Sequence, residues 1–284
     1  MASTTTTLND LLPQIVAEAL FQANETSIMR GLVRNYAIGS ANGKTVTVPI
    51  YPNQSAAVVT EGNEVSNGSV STSGVTLTVE TVAVRTLLTD LVRQSSASNV
   101  VADVGRLFGE AIARKMDQDL LALFNSFTQG VGDVDTAMSA ASIAQSVAKL
   151  RSNAVPADML YCVVHPNIAY DLKANLTNTF VNPGSGVIQN RAMETGFVGT
   201  LFGVPVFESS NAVLSTAATA AAGDYVGGVF HRDALGLAMI GDINIETDRR
   251  ASFIGDDLVA SAHYGVGILQ DSYGVKVIAD SSIE

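Results

Sequence analysis

The stretch "GKTVTVPIYPNQSAAVVTEGNEVSNGSVSTSGVTLTVETVAVRTLLTD", Gly43 to Asp90, decides how this chain is read. It starts and ends as strand. On the way out, Val46, Val48 and Ile50 share one face while Thr45, Thr47 and Pro49 share the other, the period-two alternation of a half-buried strand. Pro49 cannot donate to a ladder, so this strand is expected at an edge. On the way back, Val75, Leu77 and Val79 lie on one face. The phase then slips and Val82 and Val84 carry it on, as a bulge near Glu80 would produce. From Tyr51 to Gly74 the chain is Gly, Ser, Asn and Thr, with Val58 and Val59 inside. A two-stranded ribbon is marginal by itself in water. A tip this long, with so little to bury, makes contacts or stays disordered. The ribbon is therefore expected to lie on a different copy of the protein.

The rest of the chain has the means to fold compactly. Its 284 residues suffice for one large core or two smaller ones, and an apolar content of 47% excludes disorder. With no Trp and 6% aromatics, the core is built from Val, Leu, Ile and Ala. The net charge of −11 argues against a surface that clamps phosphates with clustered Lys and Arg. It suits a soluble surface, or one that lies near nucleic acid without gripping it. The single cysteine, Cys162, allows no intrachain disulfide, and cytoplasmic folding is expected. The opening "MASTTTTLND" lacks the basic and apolar regions of a secretory signal, and no apolar run reaches the ~18 residues of a membrane span. Asn24 and Asn175 match the glycosylation pattern, which carries no meaning in an intracellular chain.

Along the chain, residues 1–7 form a Ser/Thr tail. Leu8, Leu11, Leu12, Ile15, Val16 and Ala19 have helical spacing, with Asn9 or Asp10 as cap and Pro13 in the first turn. With "SIMRGLVRN" they form an N-terminal arm. After the ribbon, Val100, Val104, Leu107, Phe108, Ala111, Ile112, Met116, Leu120, Leu123, Phe124 and Phe127 make one stripe. Capped at Ser98 or Asn99, this predicts one helix of about 29 residues, roughly 44 Å long. Gly105 and Gly109 lie within it, spaced for another backbone to cross close by or simply set on a solvated face. Beyond Gly130 and Gly132 the pattern is mixed. "SAASIAQSVAKLRSN" is a helix facing in with Ile143, Val147 and Leu150. "DMLYCVVHP" is a buried central strand, and "PNIAYDLKANL" is a helix opened by Pro166. Residues 177–190 are loop-like, "GTLFGVPVFESS" is a strand, and "AVLSTAATAAAGD" has no assignment. The last third holds four or five alternating strands, with a tight turn at "SYGVK".

No constellation of residues carries chemistry. His165 closes a buried strand before Pro166, where a base or ligand could sit, and reads rather as a strand-end histidine with a backbone partner. His231 and His263 have no partner at metal-ligand spacing. Cys162 sits inside an apolar run and reads as core. Asp117 and Asp119, two apart on a helix, point to different faces and cannot share a metal or a proton. "GDVDT", with Asp133 and Asp135, lacks the Gly and distal Glu of a calcium loop and reads as turn chemistry. Phosphate loops, nucleophile elbows and dinucleotide fingerprints are absent.

In its order of segments the sequence resembles the major capsid proteins of tailed bacteriophages with the Hong Kong 97-type fold. An N-terminal arm is followed by the extended loop "GKTVTVPIY…VTLTVETVAV", then "LLTDLV" leading to a spine helix ending "ARKMDQDLLALF". Next come "CVVHPNIAYDLK", "GTLFGVPVFESSN", and strands with "HRDALGLAM" and "YGVGILQDSYGVKVI". The resemblance implies an α+β fold with an N-terminal arm (1–42) and an extended β-hairpin loop (43–90). It further implies a peripheral domain with the long spine helix (91–131 and 226–284) and an axial α/β domain (132–225). It implies a structural protein rather than an enzyme, without cofactors. Many copies, as pentamers and hexamers, would close an icosahedral shell around double-stranded DNA, assembled in the host bacterial cytoplasm. A portal is implied, and the extended loop would lie across a neighbouring subunit. The founding member is cross-linked through a lysine on that loop. Here Tyr51 to Gly74 has no Lys and Lys44 sits at the root, so noncovalent stabilisation is expected. No charged coiled-coil segment precedes residue 8, so a separate scaffolding protein is expected. Glu61 and Glu64 at the tip are candidates to pair with Arg249 and Arg250 of the adjacent subunit, or to remain solvated. The resemblance leaves open the shell's triangulation number, the host and any cement protein. An encapsulin-like protein compartment shares the fold, and a soluble α/β enzyme with a site around His165 and Asp171 is the reading from another class.

Overall fold

The computed structural model describes residues 2–3, 27–39, 43–51, 56, 58–64, 72–95, 100–179, 199–216 and 223–283. These build two six-stranded sheets and a separate ribbon. The first sheet runs β1 (Ala2–Ser3), β5 (Glu80–Thr89), β13 (Gly255–Ile268), β11 (Leu235–Met239), β2 (Arg34–Ala37), with β12 (Asn244–Arg250) also paired to β13. The second runs β6 (Gly130–Ala137), β14 (Gly274–Asp280), β10 (Asp224–His231), β7 (Leu160–Val164), β9 (Val204–Glu208), β8 (Thr200–Leu201). The ribbon is β3 (Thr45–Ile50) with β4 (Ser73–Thr78). The helices are α1 (Met29–Leu32), α2 (Asp90–Ser95), α3 (Val100–Ala122), α4 (Ala140–Ser152) and α5 (Pro166–Thr179). The late strands divide between the sheets: β11, β12 and β13 join the first, β10 and β14 the second.

Helix α3 lays Phe108, Ile112, Met116, Leu120 and Leu121 in one core with Leu258, Ala260, Ala262 and Tyr264 of β13. It has 23 residues, about 34 Å, which is shorter than its apolar stripe predicts. The chain tightens into a 3-10 turn at Leu123–Ser126, which carries Phe124 and Phe127 into the second sheet. Phe124 lies 5.3 Å from the Phe230 ring, centroid to centroid. A Cβ on Gly228 would come within 3.0 Å of the Phe124 ring, and one on Gly274 within 2.2 Å of Phe127. The sheet accepts these aromatics because glycine leaves room for them. No backbone crosses close to Gly105 or Gly109 within the described chain. A Cβ on Gly105 would meet only the Ile245 side chain, at 3.8 Å, and one on Gly109 nothing within 4 Å.

A second core lies under α4 and α5. Ile143, Val147 and Leu150 of α4, with Ile168, Ala169 and Leu172 of α5, bury against Val131, Cys162, Val164, Val206, Val275 and Val277. The continuous apolar run of β7 is explained by its place between β10 and β9, as its sequence predicts. "GTLFGVPVFESS" is a tight hairpin rather than one strand. It turns at Phe202 (φ 53°) and Gly203 (φ 82°), both left-handed, as a two-residue hairpin loop requires. "GDVDT" lies inside β6, where the ladder to β14 shifts register, and so is a strand irregularity rather than a free turn.

The ribbon pairs Val46 with Leu77, Val48 with Val75 and Ile50 with Ser73. Pro49 lies on β3, whose only strand partner among the described residues is β4, so it falls at an edge. The phase slip is a change of sheet, not a bulge. β4 ends at Thr78, the Val79 N–H donates to the Lys44 carbonyl (2.8 Å), and β5 begins at Glu80 against Tyr264 of β13. Residues 80–89 therefore belong to the first sheet. The expectation that the whole ribbon lies on another copy is corrected for its stem. Leu77, 2% exposed, sits over the cross-strand glycine pair Gly236 and Gly267. A Cβ on Gly267 would lie 2.6 Å, and one on Gly236 3.0 Å, from the Leu77 methyls. Ile38, Val79, Ala238 and Leu269 complete this small core. Past Ile50 and before Ser73 every described residue is exposed.

Several expected features lie outside the described residues: the helix over 8–19 with its caps, the caps at 98 and 99, most of the 177–190 loop, and residues 217–222. Of the N-terminal arm, α1 is a single turn.

Leu77→Ala is expected to cost the free subunit about 2–5 kcal/mol in chemical unfolding. Val58→Ala should change it by less than ~0.5 kcal/mol. Equal, small effects of the two would contradict the seated stem.

Candidate functional site

The residues with chemical potential are engaged structurally. His165 stacks on Tyr225 (3.7 Å between ring centroids), and its Nδ1 accepts from the Asn167 N–H (3.3 Å). Asp171 accepts from the Ser282 N–H (2.9 Å) and hydroxyl, tying the C-terminal stretch to α5. His231 Nδ1 accepts from the Asp233 N–H (3.2 Å), and His263 shares a hydrogen bond with Thr81 (2.9 Å). Cys162 is fully buried, and burial pushes its thiol up to about 12. Among the described residues no group of three His, Cys, Asp or Glu could hold a metal ion, and no helix is long and apolar enough to cross a membrane.

Asp117 and Asp119 diverge as their spacing predicts. Asp119 is held by Lys115 (2.6 Å) and by the Tyr264 hydroxyl (2.8 Å). Burial, then that hydrogen bond, pushes the phenol of Tyr264 up. Asp117 is fully buried and forms a junction that sequence reasoning missed. Its Oδ1 accepts from the N–H groups of Met29 (2.8 Å) and Ile28 (3.1 Å) and the Ser27 hydroxyl (3.0 Å). Its Oδ2 accepts from Asn211 Nδ2 (3.2 Å) and the Ser209 hydroxyl (3.4 Å). One carboxylate thus ties the start of α1 and the turn after β9 to α3. The signal was present: Asp117 falls three and four residues before Leu120 and Leu121, on the inward face.

Two surfaces remain. The first is the ribbon tip, where a turn closes from the Asn63 N–H to the Thr60 carbonyl (3.1 Å) with Gly62 at φ 86°. A left-handed residue at that position is what glycine supplies. Val58, Val59, Glu61 and Glu64 gather around this turn and all are exposed.

The second is the corner of α2, β12 and β13. Every residue of β12 is exposed. Arg249 forks onto both oxygens of Asp90 (2.6 Å each) and reaches Asp256 (3.2 Å), which Arg93 also holds (2.5 Å). On the other face, Arg250 (3.2 Å) and Arg85 (2.6 Å) share Asp257. The Arg249 hydrogen bonds hold the Asp90 carboxyl below its ordinary value, and the Arg85 hydrogen bond does the same to Asp257. Within one chain Arg249 and Arg250 therefore meet their own aspartates; the structure does not bring Glu61 and Glu64 to them. The Asp90 N–H donates to the Ile254 carbonyl (2.9 Å), pinning α2 to the β12–β13 turn. On that platform Leu91, Phe253 and Ile254 are 62%, 54% and 67% exposed. Ile254 is left-handed (φ 49°), a strained conformation for a β-branched residue.

Comparison with known proteins agrees with this architecture. Residues 72–278 match the model of the phage capsid protein family. No curated protein matches the sequence. Among solved structures, the capsid of the cyanophage P-SCSP1u is similar over 96% of this chain and 94% of that one, at 18% identity and a TM-score of 0.72. A structure of Mycobacterium phage Che8 is similar over 95% of this chain and 98% of that one, at 19% identity and a TM-score of 0.72. The head structure of Helicobacter pylori bacteriophage KHP40 is similar over 97% and 98%, at 10% identity and 0.74. The chain belongs to the phage capsid protein family. Its fold is the Hong Kong 97-type fold, and it is a major capsid subunit of an icosahedral phage shell.

Asp117→Ala should destabilise the subunit by about 2–4 kcal/mol, because it leaves buried donors without an acceptor. It should also speed amide exchange at residues 28–29 and 209–211 together. Faster exchange at only one of the two would contradict a single junction.

Proposed function

We propose that copies of this chain assemble as pentamers and hexamers into a noncovalent shell around double-stranded DNA, each extended ribbon reaching a neighbouring copy. The observation that carries this is the division of the ribbon: a stem seated on its own subunit, and a tip whose described residues are all exposed, Val58 fully and Val59 to 41%. Apolar side chains held out on a seated stem gain burial when another molecule covers them. The absence of Lys between Tyr51 and Gly74 supports noncovalent closure, and the net charge of −11 supports a wall that confines DNA without binding it. In this reading residues 132–225, which share the second sheet with the late strands β10 and β14, lie toward the fivefold and sixfold centres, and α3 with the first sheet forms the periphery. Assembly takes place in the host bacterial cytoplasm with a separate scaffolding protein and a portal, and the subunit performs no catalysis.

Electron microscopy of the chain expressed alone and with its genomic neighbours should show closed shells. Particles from the full set should hold nuclease-protected DNA and release single 29.5 kDa chains when boiled in detergent. Elution as a monomer, an enzyme cargo in place of DNA, or a covalent ladder would each overturn the corresponding part.

A further inference from the structure

The described chain passes between the two sheets three times: from α3 into β6, from β10 into β11, and from β13 into β14. Each passage contains one short 3-10 turn, at Leu123–Ser126, Arg232–Ala234 and Asp271–Tyr273. We propose that these three turns form a pivot on which the second sheet rotates against α3 and the first sheet, and that Asp117 is the latch that holds the pivot in one setting. The inference goes beyond the shell reading and does not depend on it.

Three observations point to a pivot. First, the turns lie together. The Leu269 and Gln270 N–H groups donate to the Ala234 carbonyl (2.8 and 3.3 Å). The Thr128 N–H donates to the Asp271 carboxylate (2.9 Å), and His231 meets the Tyr273 ring edge to face at 5.6 Å. Connections gathered at one place permit rotation about it, where scattered ones would forbid it. A 3-10 turn holds its hydrogen bonds less well than the helices and ladders beside it, and such element ends absorb the φ/ψ changes of a hinge. Second, the surfaces meeting at the turns are apolar. Among the described residues no strand of one sheet pairs with a strand of the other. Phe124 and Phe127 instead enter the room left by Gly228 and Gly274. Rings in such gaps can shift without breaking a hydrogen bond, because apolar burial is non-directional. Third, directional bonds cross at Asp117, one to two turns of α3 before the pivot. Its Oδ2 accepts from Asn211 and Ser209, which follow β9 of the second sheet. While these bonds stand, the sheets are fixed. Rotation would draw both donors away and leave a buried carboxylate oxygen without them, which is costly. The other oxygen, Oδ1, holds Ser27, Ile28 and Met29. One group therefore senses both the seating of the N-terminal segment and the setting of the sheets, which couples the two.

The test measures distances between spin labels on dissociated full-length subunits. Cys162 is fully buried, so the labels go to introduced thiols. One pair spans the pivot: Ala111→Cys on α3 with Gln145→Cys on α4, both at exposed positions. The other stays on one side of it: Ala111→Cys with Glu246→Cys on the exposed β12. With the latch intact, each pair should give one narrow distance peak. Ser209→Ala with Asn211→Ala removes the donors to Oδ2 and keeps those to Oδ1. It should broaden or split the spanning peak and leave the one-sided peak as it was. A spanning peak that stays single and narrow would overturn the pivot. A spanning peak already broad with the latch intact would overturn the latch. Equal broadening of both pairs would mean that α3 loosens from its own sheet, and would overturn the proposal too. If the double variant does not fold, Asn211→Ala alone is read against the same outcomes.

Discussion

The packing of Leu77 over the Gly236–Gly267 pair governs how this subunit presents itself. A ribbon of two strands cannot hold a direction in water. Here one leucine fills a slot that exists because two facing strand residues lack side chains, and the ribbon's base becomes part of the body. Gly265 deepens the same approach: a Cβ there would lie 2.1 Å from the Thr78 carbonyl. Glycine in strand interiors costs conformational entropy. In β11 and β13 that cost admits the stem of the arm, and the exposed tip follows from it.

A second constraint joins the two sheets. Helix α3 packs on the first sheet along most of its length, then tightens so that Phe124 and Phe127 plug into glycine gaps of the second. Asp117, in the last two turns of α3, fastens the entry of α1 and the turn after β9 to the same helix. The helix is thus a strut that fixes the N-terminal segment, the first sheet and the second sheet relative to one another. Such rigidity suits a wall element that repeats many times.

Much of this was legible in the sequence, for identifiable reasons. Period-two valines gave the ribbon, the stripe from Val104 to Leu120 gave the long helix, and the run "LYCVV" gave the central strand, because each pattern reports one buried face. The seat of Leu77 was not legible: its partners Gly236 and Gly267 lie far along the chain, and glycine carries no hydrophobic signal. The change of sheet at Val79 imitates a bulge in a one-dimensional pattern. Helix α3 ends early because its last aromatics serve the other sheet, and a stripe cannot show which sheet its members face. At the candidate site, Val58, Val59, Glu61 and Glu64 did fall together on an exposed tip. The pairing of Arg249 and Arg250 with Asp90, Asp256 and Asp257 depends on tertiary register and left no trace in sequence spacing.

The central claim is that the stem belongs to the subunit and the tip to the assembly. Amide hydrogen exchange on dissociated subunits and on closed shells measures it directly. Residues 75–79 should be slow to exchange in both states, and residues 58–64 fast in the subunit and slow in the shell. A stem that exchanges rapidly in the free subunit, or a tip that exchanges equally fast in both, would contradict the account.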